Sequence, residues 1–330
     1  MTQGLAFARA GLLGNPSDNF HGKILAIAVR NFRAAVTLRE SPRLVFAPAA
    51  EEGEGYASFE DLVARTRLYG YYGGTRLVRA AAKTFFEWCR ENGVRLPVRN
   101  FTLTYESDIP RQVGLGGSSA LVTAAFRALT AFHEVSIPIE RLPSLILKSE
   151  KEELDINAGY MDRVVQVYEG LVYMDLDEAL FGERGHGRYE SLDPALLPSL
   201  YLAYKPSLGK VSGRVLSEMY IRYAQGDPLV REGVRQIASL AEQGREALLS
   251  GNKRAFALRM DRNFDLRRSL MTISPANLEM IEAARSCGAS AKFAGSGGSI
   301  VGAYEGEEMF GRLEAALGRL GAVVLKPKVQ

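Results

Sequence analysis

The sequence predicts an α/β (α+β) protein in which long helices are inserted in an α/β sandwich. Three observations predict it. A half-buried strand, a glycine loop and a helix start follow one another between Phe101 and Phe132; helical periodicity fills most of residues 212–286; and strands flank glycine-bearing turns near both ends of the chain. Layering helices on sheets buries the apolar stripe of the one against the apolar face of the other.

The middle stretch organises the rest. Phe101, Leu103 and Tyr105 alternate with Thr102, Thr104 and Glu106, as in a strand with one buried face, and Leu121, Val122, Ala125, Phe126, Leu129 and Phe132 recur at helical spacing. Between them lies Gly114-Leu115-Gly116-Gly117-Ser118-Ser119-Ala120. Glycine lets the backbone approach a ligand and adopt positive φ, and a helix start offers unpaired N–H groups at the positive end of its dipole, so the combination suits phosphate. Ser118 and Ser119 stand where a hydroxyl can cap the helix, contact a phosphate or reach a Mg2+ held by phosphates. The alternative is a flexible turn with a serine N-cap. No Lys follows the last glycine and no GxGxxG is present, so the loop is neither a Walker loop nor a Rossmann turn.

With 330 residues, 47% hydrophobic and 24% charged, the chain has room for one large or two ordinary domains with real cores. A net charge of +3 from 41 basic and 38 acidic residues, without a long basic run, makes nucleic acid a poor partner. Two distant cysteines, Cys89 and Cys287, provide neither a disulfide framework nor a zinc spacing, and His21, His133 and His186 are scattered. With no signal-like start and no apolar run of membrane length, the expected setting is cytoplasmic, without membrane contact.

In chain order, residues 5–10 read as a short strand turning through Gly11 and Gly14, and Lys23 to Leu38 as a second strand. Arg9 and Asp18 flank the turn, either as an ion pair or as site residues. An acidic loop, 51–56, precedes Tyr69-Gly70-Tyr71-Tyr72-Gly73-Gly74, whose tyrosines and glycines suit a sugar-facing loop, with a plain surface turn as the alternative. A helix follows with Leu77, Val78, Ala81, Phe85, Trp88 and Cys89 on one face, read as core rather than as a stack for a base. Pro138 and Pro143 introduce another helix, in which Glu150 shares the register of Ile146 while Lys151, Glu152 and Glu153 read as solvated. Asp162 stands between the Gly159 turn and alternating strands through Val164, Tyr168, Leu171 and Asp175 that bend at Glu169-Gly170; pairing with Arg163 is its alternative role. Residues 176–198 read as a connection. The strand Leu200 to Tyr204, helices to residue 286, two strands around Gly295-Ser296-Gly297-Gly298, a helix near Met309 to Leu317 and a strand from Ala322 to Leu325 complete the chain.

A phosphate loop, two separated carboxylates and a basic residue near an acidic turn are what phosphoryl transfer needs. At this point the chain resembles the GHMP kinases. Three motifs carry the resemblance: Arg9-Ala10-Gly11-Leu12-Leu13-Gly14-Asn15-Pro16-Ser17-Asp18, the loop from Pro110 to Ala120, and Lys292-Phe293-Ala294-Gly295-Ser296-Gly297-Gly298. Ser149-Glu150 and Gly159-Tyr160-Met161-Asp162 are similar to the family's carboxylate segments. The resemblance implies a two-domain GHMP kinase fold: an ATP-binding domain like the second domain of ribosomal protein S5 over 1–195 and a ferredoxin-like domain over 196–330. It implies ATP and Mg2+ as cofactors and a small sugar as substrate, with the chain acting as a monomer or homodimer. It assigns the phosphates to Gly114, Leu115, Gly116, Gly117, Ser118, Ser119 and Ala120. Mg2+ falls to Ser119 and Glu150, and the base to Asp162, with Arg9 near the transferring phosphoryl group and Asp18 on sugar hydroxyls. Gly295, Ser296, Gly297 and Gly298 support the loop.

Within the family, Tyr69 to Gly74, Ile109 to Leu115 and Asn263-Phe264-Asp265-Leu266-Arg267-Arg268 are similar to the glucuronokinase branch. That resemblance implies transfer to an anomeric hydroxyl, best of D-glucuronate, with Tyr72 at the sugar; Arg30 and Arg111 are cations available to a carboxylate. Ala8 replaces a common proline, and Asn15-Pro16 replaces the Glu-His of galactokinases. A kinase for galactose, arabinose, a heptose or a mevalonate-type alcohol is the alternative, as is a silent nucleotide-binding sensor.

Overall fold

The computed structural model describes residues 1–48, 73–208 and 212–330, with backbone alone at 212–217. The chain forms two compact units, each assembled from three segments. Unit one comprises 1–6, 33–108 and 118–158; unit two comprises 7–32, 109–117 and 159–330. The strands β1 (Thr2–Leu13) and β2 (Lys23–Glu40) contribute to both.

In unit one, β2 pairs antiparallel with β4 (Phe101–Ser107), Val36 opposite Tyr105 and Leu38 opposite Leu103, and β3 (Val45–Phe46) runs parallel to β4. The apolar side of this sheet meets α1 (Thr75–Glu91) and α2 (Gly117–His133), with Phe101 edge-on to Phe132 at 5.4 Å and Phe85 edge-on to Phe126 at 6.5 Å. Phe85 and Cys89 are core residues as the periodicity implies, whereas Trp88, in the same register but in the last turn of α1, is only half-buried. Pro143 opens α3 (Leu142–Lys151) in its first turn, where a missing N–H costs nothing.

In unit two, β2 pairs antiparallel with β5 (Leu171–Asp175), Ile24 opposite Met174, and β5 pairs with β6 (Arg188–Leu192). Residues 164–168, expected as strand, are helical: α4 (Tyr160–Tyr168) presses Met161, Val164 and Val165 onto Ile24, Ala26, Val172 and Met174. β-branched residues suggest a strand, but Met161, Val164 and Val165 at i, i+3 and i+4 bury one helical face, and packing outweighs local propensity. The bend at Glu169 and Gly170 is present, both at positive φ.

Two further expectations change. The first strand continues through Gly11 to Leu13 rather than turning at Gly11; a Cβ on Gly11 would lie 2.7 Å from Met161 Sδ, so this glycine serves close packing, and the turn comes at Gly14 with φ 87°. The stretch 176–198 contains α5 (Glu178–Arg184), capped by the Asp177 side chain, as well as β6. No residue of α5 is buried, so it lacks the apolar stripe that reveals a helix in sequence.

The second sheet of this unit is antiparallel throughout, in the order β10 (Val323–Leu325), β7 (Leu200–Tyr204), β9 (Ser299–Ala303), β8 (Lys292–Phe293). Tyr201, Phe293 and Ile300 from the sheet share a core with Phe264 of α8 (Lys253–Leu270), Met280 and Ile281 of α9 (Pro275–Ser286), and Leu313 and Leu317 of α10 (Gly306–Arg319). The remaining helices, α6 (Ser212–Ala224) and α7 (Pro228–Leu249), precede them in the chain. Among the described residues no helix is long and apolar enough to cross a membrane.

Candidate active site

Unit two brings Arg9, Asp18, Gly114, Gly116 and Asp162 together. Arg9 projects from β1 and is 6% exposed; its Nε donates to Asp162 Oδ1 at 2.6 Å and its Nη2 to Asp162 Oδ2 at 2.8 Å, while Nη1 donates to the Gly114 carbonyl. Two parallel charge-assisted bonds fix both the position and the plane of a carboxylate. Arg9 thus pairs with Asp162 and not with Asp18 across its own turn. Arg163 lies 3.9 Å from Asp162 and gives Nη1 to the Gly159 carbonyl at 2.9 Å, so Arg9 is the better-placed of the two cations.

Asp18 sits in a 3-10 turn, Ser17–Phe20, and its Oδ2 accepts the Met161 N–H at 3.2 Å. Burial, and then the neighbouring charge of Asp162, push its carboxyl up to about 6, opposed by the Met161 bond and by Arg9 and Arg163. Gly159 is required here, because a Cβ at that position would lie 2.1 Å from Asp18 Oδ2.

The glycine loop passes directly by this pair. The Arg9 N–H donates to the Leu115 carbonyl at 3.1 Å, and Gln166 Nε2 donates to the Gly116 carbonyl at 2.8 Å. Gly114 and Gly116 have φ of 73° and 77°, and a Cβ on Gly116 would stand 3.2 Å from Asp162 Oδ2. The C-terminal glycines back the loop: a Cβ on Gly114 would meet the Gly297 carbonyl at 2.8 Å, and Gly298 N–H is held by Asn277 Oδ1 at 2.9 Å. Ser296 is half-buried beside them. The helix begins at Gly117, so Ser118 and Ser119 occupy its first turn rather than the N-cap.

In unit one, Ser119 in that turn and Glu150 on α3 are each 1% exposed, while Ser118 is exposed and Ala120 buried. Glu150 is buried as its register with Ile146 implies, and Lys151 and Glu152 beyond it are exposed. Arg111 is exposed on the approach to the loop. Arg30 is engaged elsewhere, its Nη1 on Glu169 at 2.7 Å and its guanidinium 4.2 Å over the Phe7 ring. Tyr72 and the preceding tyrosines lie outside the described residues.

The sequence motifs include Asn263, Arg267 and Lys292 without individual roles and leave out Gln166; the structure sets all four against the backbone that carries the candidate site. Asn263 Oδ1 accepts the Gly14 N–H at 2.7 Å and its Nδ2 donates to the Asn15 carbonyl at 3.2 Å. Gln166 bridges Phe7 and Gly116, and Lys292 and Arg267 are buried among backbone carbonyls. A signal was present: Asn263 and Arg267 are spaced i, i+4 between Met260 and Leu270, which puts an amide and a guanidinium on the buried stripe of α8.

The family described as GHMP kinases N terminal domain matches residues 76–170. "Probable glucuronokinase 2" of Arabidopsis thaliana is 45% identical to this chain over 303 residues, 90% of this chain and 82% of that protein. The chain belongs to the GHMP kinases. "Glucuronokinase 1" of the same plant is 42% identical over 302 residues, 90% of this GHMP kinase and 83% of that protein. The crystal structure of the Methanococcus jannaschii mevalonate kinase matches with a TM-score of 0.74 at 16% identity, covering 99% of this chain and 98% of the other, which extends the shared GHMP kinase fold over the whole chain. As a member, this GHMP kinase is an ATP-dependent phosphotransferase, and the resemblance carried by its three glycine-bearing motifs holds.

Proposed function

We propose that this GHMP kinase transfers the γ-phosphoryl group of ATP to the anomeric hydroxyl of D-glucuronate, giving D-glucuronate 1-phosphate and ADP. The observation that carries the transfer chemistry is the bidentate grip of Arg9 on Asp162 beside the Gly114–Gly117 loop. The substrate follows from the relatives named glucuronokinase.

The residues fit the groups they are asked to hold. Positive φ at Gly114 and Gly116 opens backbone to a polyphosphate, and the space a Cβ would fill at Gly116 borders Arg9 and Asp162. Gly114, Leu115, Gly116, Gly117, Ser118, Ser119 and Ala120 form the cradle in this reading. Ser119 and Glu150 supply a buried hydroxyl and a buried carboxylate, the oxygen donors that Mg2+ prefers. When bound, the metal neutralises charge on the β- and γ-phosphates.

Asp162 accepts the proton of the anomeric hydroxyl as that oxygen forms its bond to the γ-phosphorus and the bond to the ADP oxygen breaks. Arg9 orients the Asp162 carboxylate and brings positive charge to the loop edge. Asp18 receives sugar hydroxyls, Tyr72 faces the sugar, and Arg111 is the cation offered to the uronate carboxylate. Gly295, Ser296, Gly297 and Gly298 hold the loop from behind. The reading keeps 1–195 as the ATP-binding domain and 196–330 as the C-terminal domain, in a cytoplasmic monomer or homodimer that uses no nucleic acid.

The test is ADP release with Mg-ATP against D-glucuronate, D-galacturonate, galactose, arabinose, a heptose and mevalonate, with Asp162→Asn as control. Glucuronate-dependent release that the variant loses supports the proposal. Release with a different acceptor alone discards the substrate, and release retained in the variant discards the base.

A further inference from the structure

Among the described residues of unit two, Lys292 and Arg267 are buried cations whose hydrogen-bond acceptors are all neutral. Lys292 is 1% exposed and gives Nζ to the Gly11 carbonyl at 2.7 Å, the Phe293 carbonyl at 2.8 Å and Asn15 Oδ1 at 2.5 Å. Arg267 is 2% exposed, with Nη1 on the Gly295 carbonyl at 2.8 Å, Nη2 3.5 Å from the Ser296 carbonyl and Nε 3.4 Å from Met271 Sδ. Its guanidinium lies 5.0 Å over the Phe293 ring. Burial lowers Arg267 to about 10 and holds Lys292 well below the ordinary lysine range, with Arg267 and Arg9 adding to the effect on Lys292. Tyr220 and Asp18 offset the burial of Arg267 only in part and bond to neither cation; burying a charge with no bonded counter-charge is costly, and a neutral amide could serve if the only need were to satisfy carbonyls.

What these cations hold is the backbone that carries the site. The carbonyls of Phe293, Gly295 and Ser296 accept from them, and the Ala294 carbonyl accepts the Gly11 N–H at 2.7 Å, so each carbonyl from 293 to 296 is engaged. Beyond this ribbon lie the loop and Arg9: a Cβ on Gly295 would stand 2.2 Å from the Gly114 carbonyl and 2.8 Å from Arg9 Nη1. Lys292 grips the same ribbon together with Gly11 and Asn15, two residues from Arg9 on one side and three from Asp18 on the other.

From this arrangement we infer that Arg267 and Lys292 are positioning residues for phosphoryl transfer, setting the Gly11–Asn15 and Gly295–Ser296 backbone so that Arg9 meets Gly114 and Asp162 in one geometry. Neither contacts Asp162; both act through Arg9 and the loop. The inference rests on the proposed transfer at Asp162, and it gives the Asn263–Arg268 motif a mechanical task at the site.

The experiment compares the full chain with Arg267→Met, Arg267→Lys and Lys292→Met, after thermal unfolding has shown which variants fold. Ligand-free amide hydrogen exchange over 7–15 and 109–117 is expected to quicken about tenfold in the Met variants, and kcat for acceptor-dependent ADP release to fall about tenfold or more. KM for ATP is expected to stay within about threefold, and Arg267→Lys, which keeps the charge on a single donor nitrogen, to lie between wild type and Arg267→Met. Exchange and kcat equal to wild type in the variants that fold, Arg267→Lys included, would overturn the inference. A wild-type protein that ignores glucuronate would instead overturn the substrate, and the exchange rates would still decide the positioning role.

Discussion

Arg9 and Asp162, 153 positions apart, are joined through two parallel bonds of 2.6 and 2.8 Å, and the third nitrogen of the same guanidinium is spent on the Gly114 carbonyl. One side chain therefore couples the orientation of the proposed base to the course of the glycine loop.

Arg9→Lys keeps the charge and loses the planar fork. Because a single ammonium cannot hold both carboxylate oxygens and the loop carbonyl, kcat is expected to fall on the order of a hundredfold while the fold persists. Steady-state kinetics beside circular dichroism check it; a variant within about threefold of wild type would show that the fork is dispensable.

Asp18 predicts a pH dependence of stability. Its carboxyl titrates at about 6 in the folded protein against 3.8 as the ordinary value, so between these limits the folded state binds more protons than the unfolded one. Unfolding free energy attributable to this group therefore falls as pH rises through that window, by about 3 kcal/mol in total, and stays low above it. Asp18→Asn, whose amide oxygen can still accept the Met161 N–H, should be more stable than wild type at pH 8 and no more stable at pH 4. Urea unfolding at both pH values reads the difference, and sugar affinity should drop in the same variant.

Two glycines separate close packing from simple helix content. Gly295→Ala drives a Cβ into the Gly114 carbonyl and Arg9, so kcat should fall at least about a hundredfold, with a stability loss of about 1–3 kcal/mol. Gly318→Ala, in α10 with nothing within 4 Å, should leave kcat unchanged and stabilise by about 0.5–1 kcal/mol. Parallel melts and rates for the pair test this, and equal effects would contradict it.

Glu150→Gln removes a buried carboxylate and keeps its volume. The Mg2+ concentration for half-maximal rate should rise about tenfold, with turnover recovering in part at high Mg2+. A Mg2+ titration at fixed ATP measures it, and an unchanged midpoint would release Glu150 from the metal.

Much of the architecture was legible where one physical signal dominated. The strand–loop–helix at 101–133, the helices beyond 212 and the strands around Gly295–Gly298 follow from apolar periodicity and glycine, and all are present. Residues 164–168 were misread because valines favour strands locally, and their helical burial depends on partners in β2 and β5 far along the chain. The helix α5 was invisible because it has no fully buried residue, and Phe181 alone, half-buried against the core, makes no periodic stripe. At the candidate site, type and motif single out Arg9, Asp18, Gly114, Gly116 and Asp162, which the structure brings together, but the pairing was not legible. Proximity in sequence suggested Arg9 with Asp18 or Asp162 with Arg163, and only the folded chain brings Arg9 to Asp162. Lys292 and Arg267 escaped for a related reason, since their acceptors are main-chain carbonyls, which every residue possesses.

The interleaving of the two units has a consequence for how the chain is made. Unit two needs residues 7–32, which are made well before its other segments, since these begin only at 109 and 159. At typical synthesis rates the first segment waits on the order of ten seconds or more before its partners in α4 and β5 emerge. During that interval the apolar run Ile24 to Val29 is nascent chain without its sheet neighbour β5, exposed surface of the kind that makes incomplete chains aggregate, so the yield of this kinase in a cell should depend on chaperone supply more than its final stability would suggest.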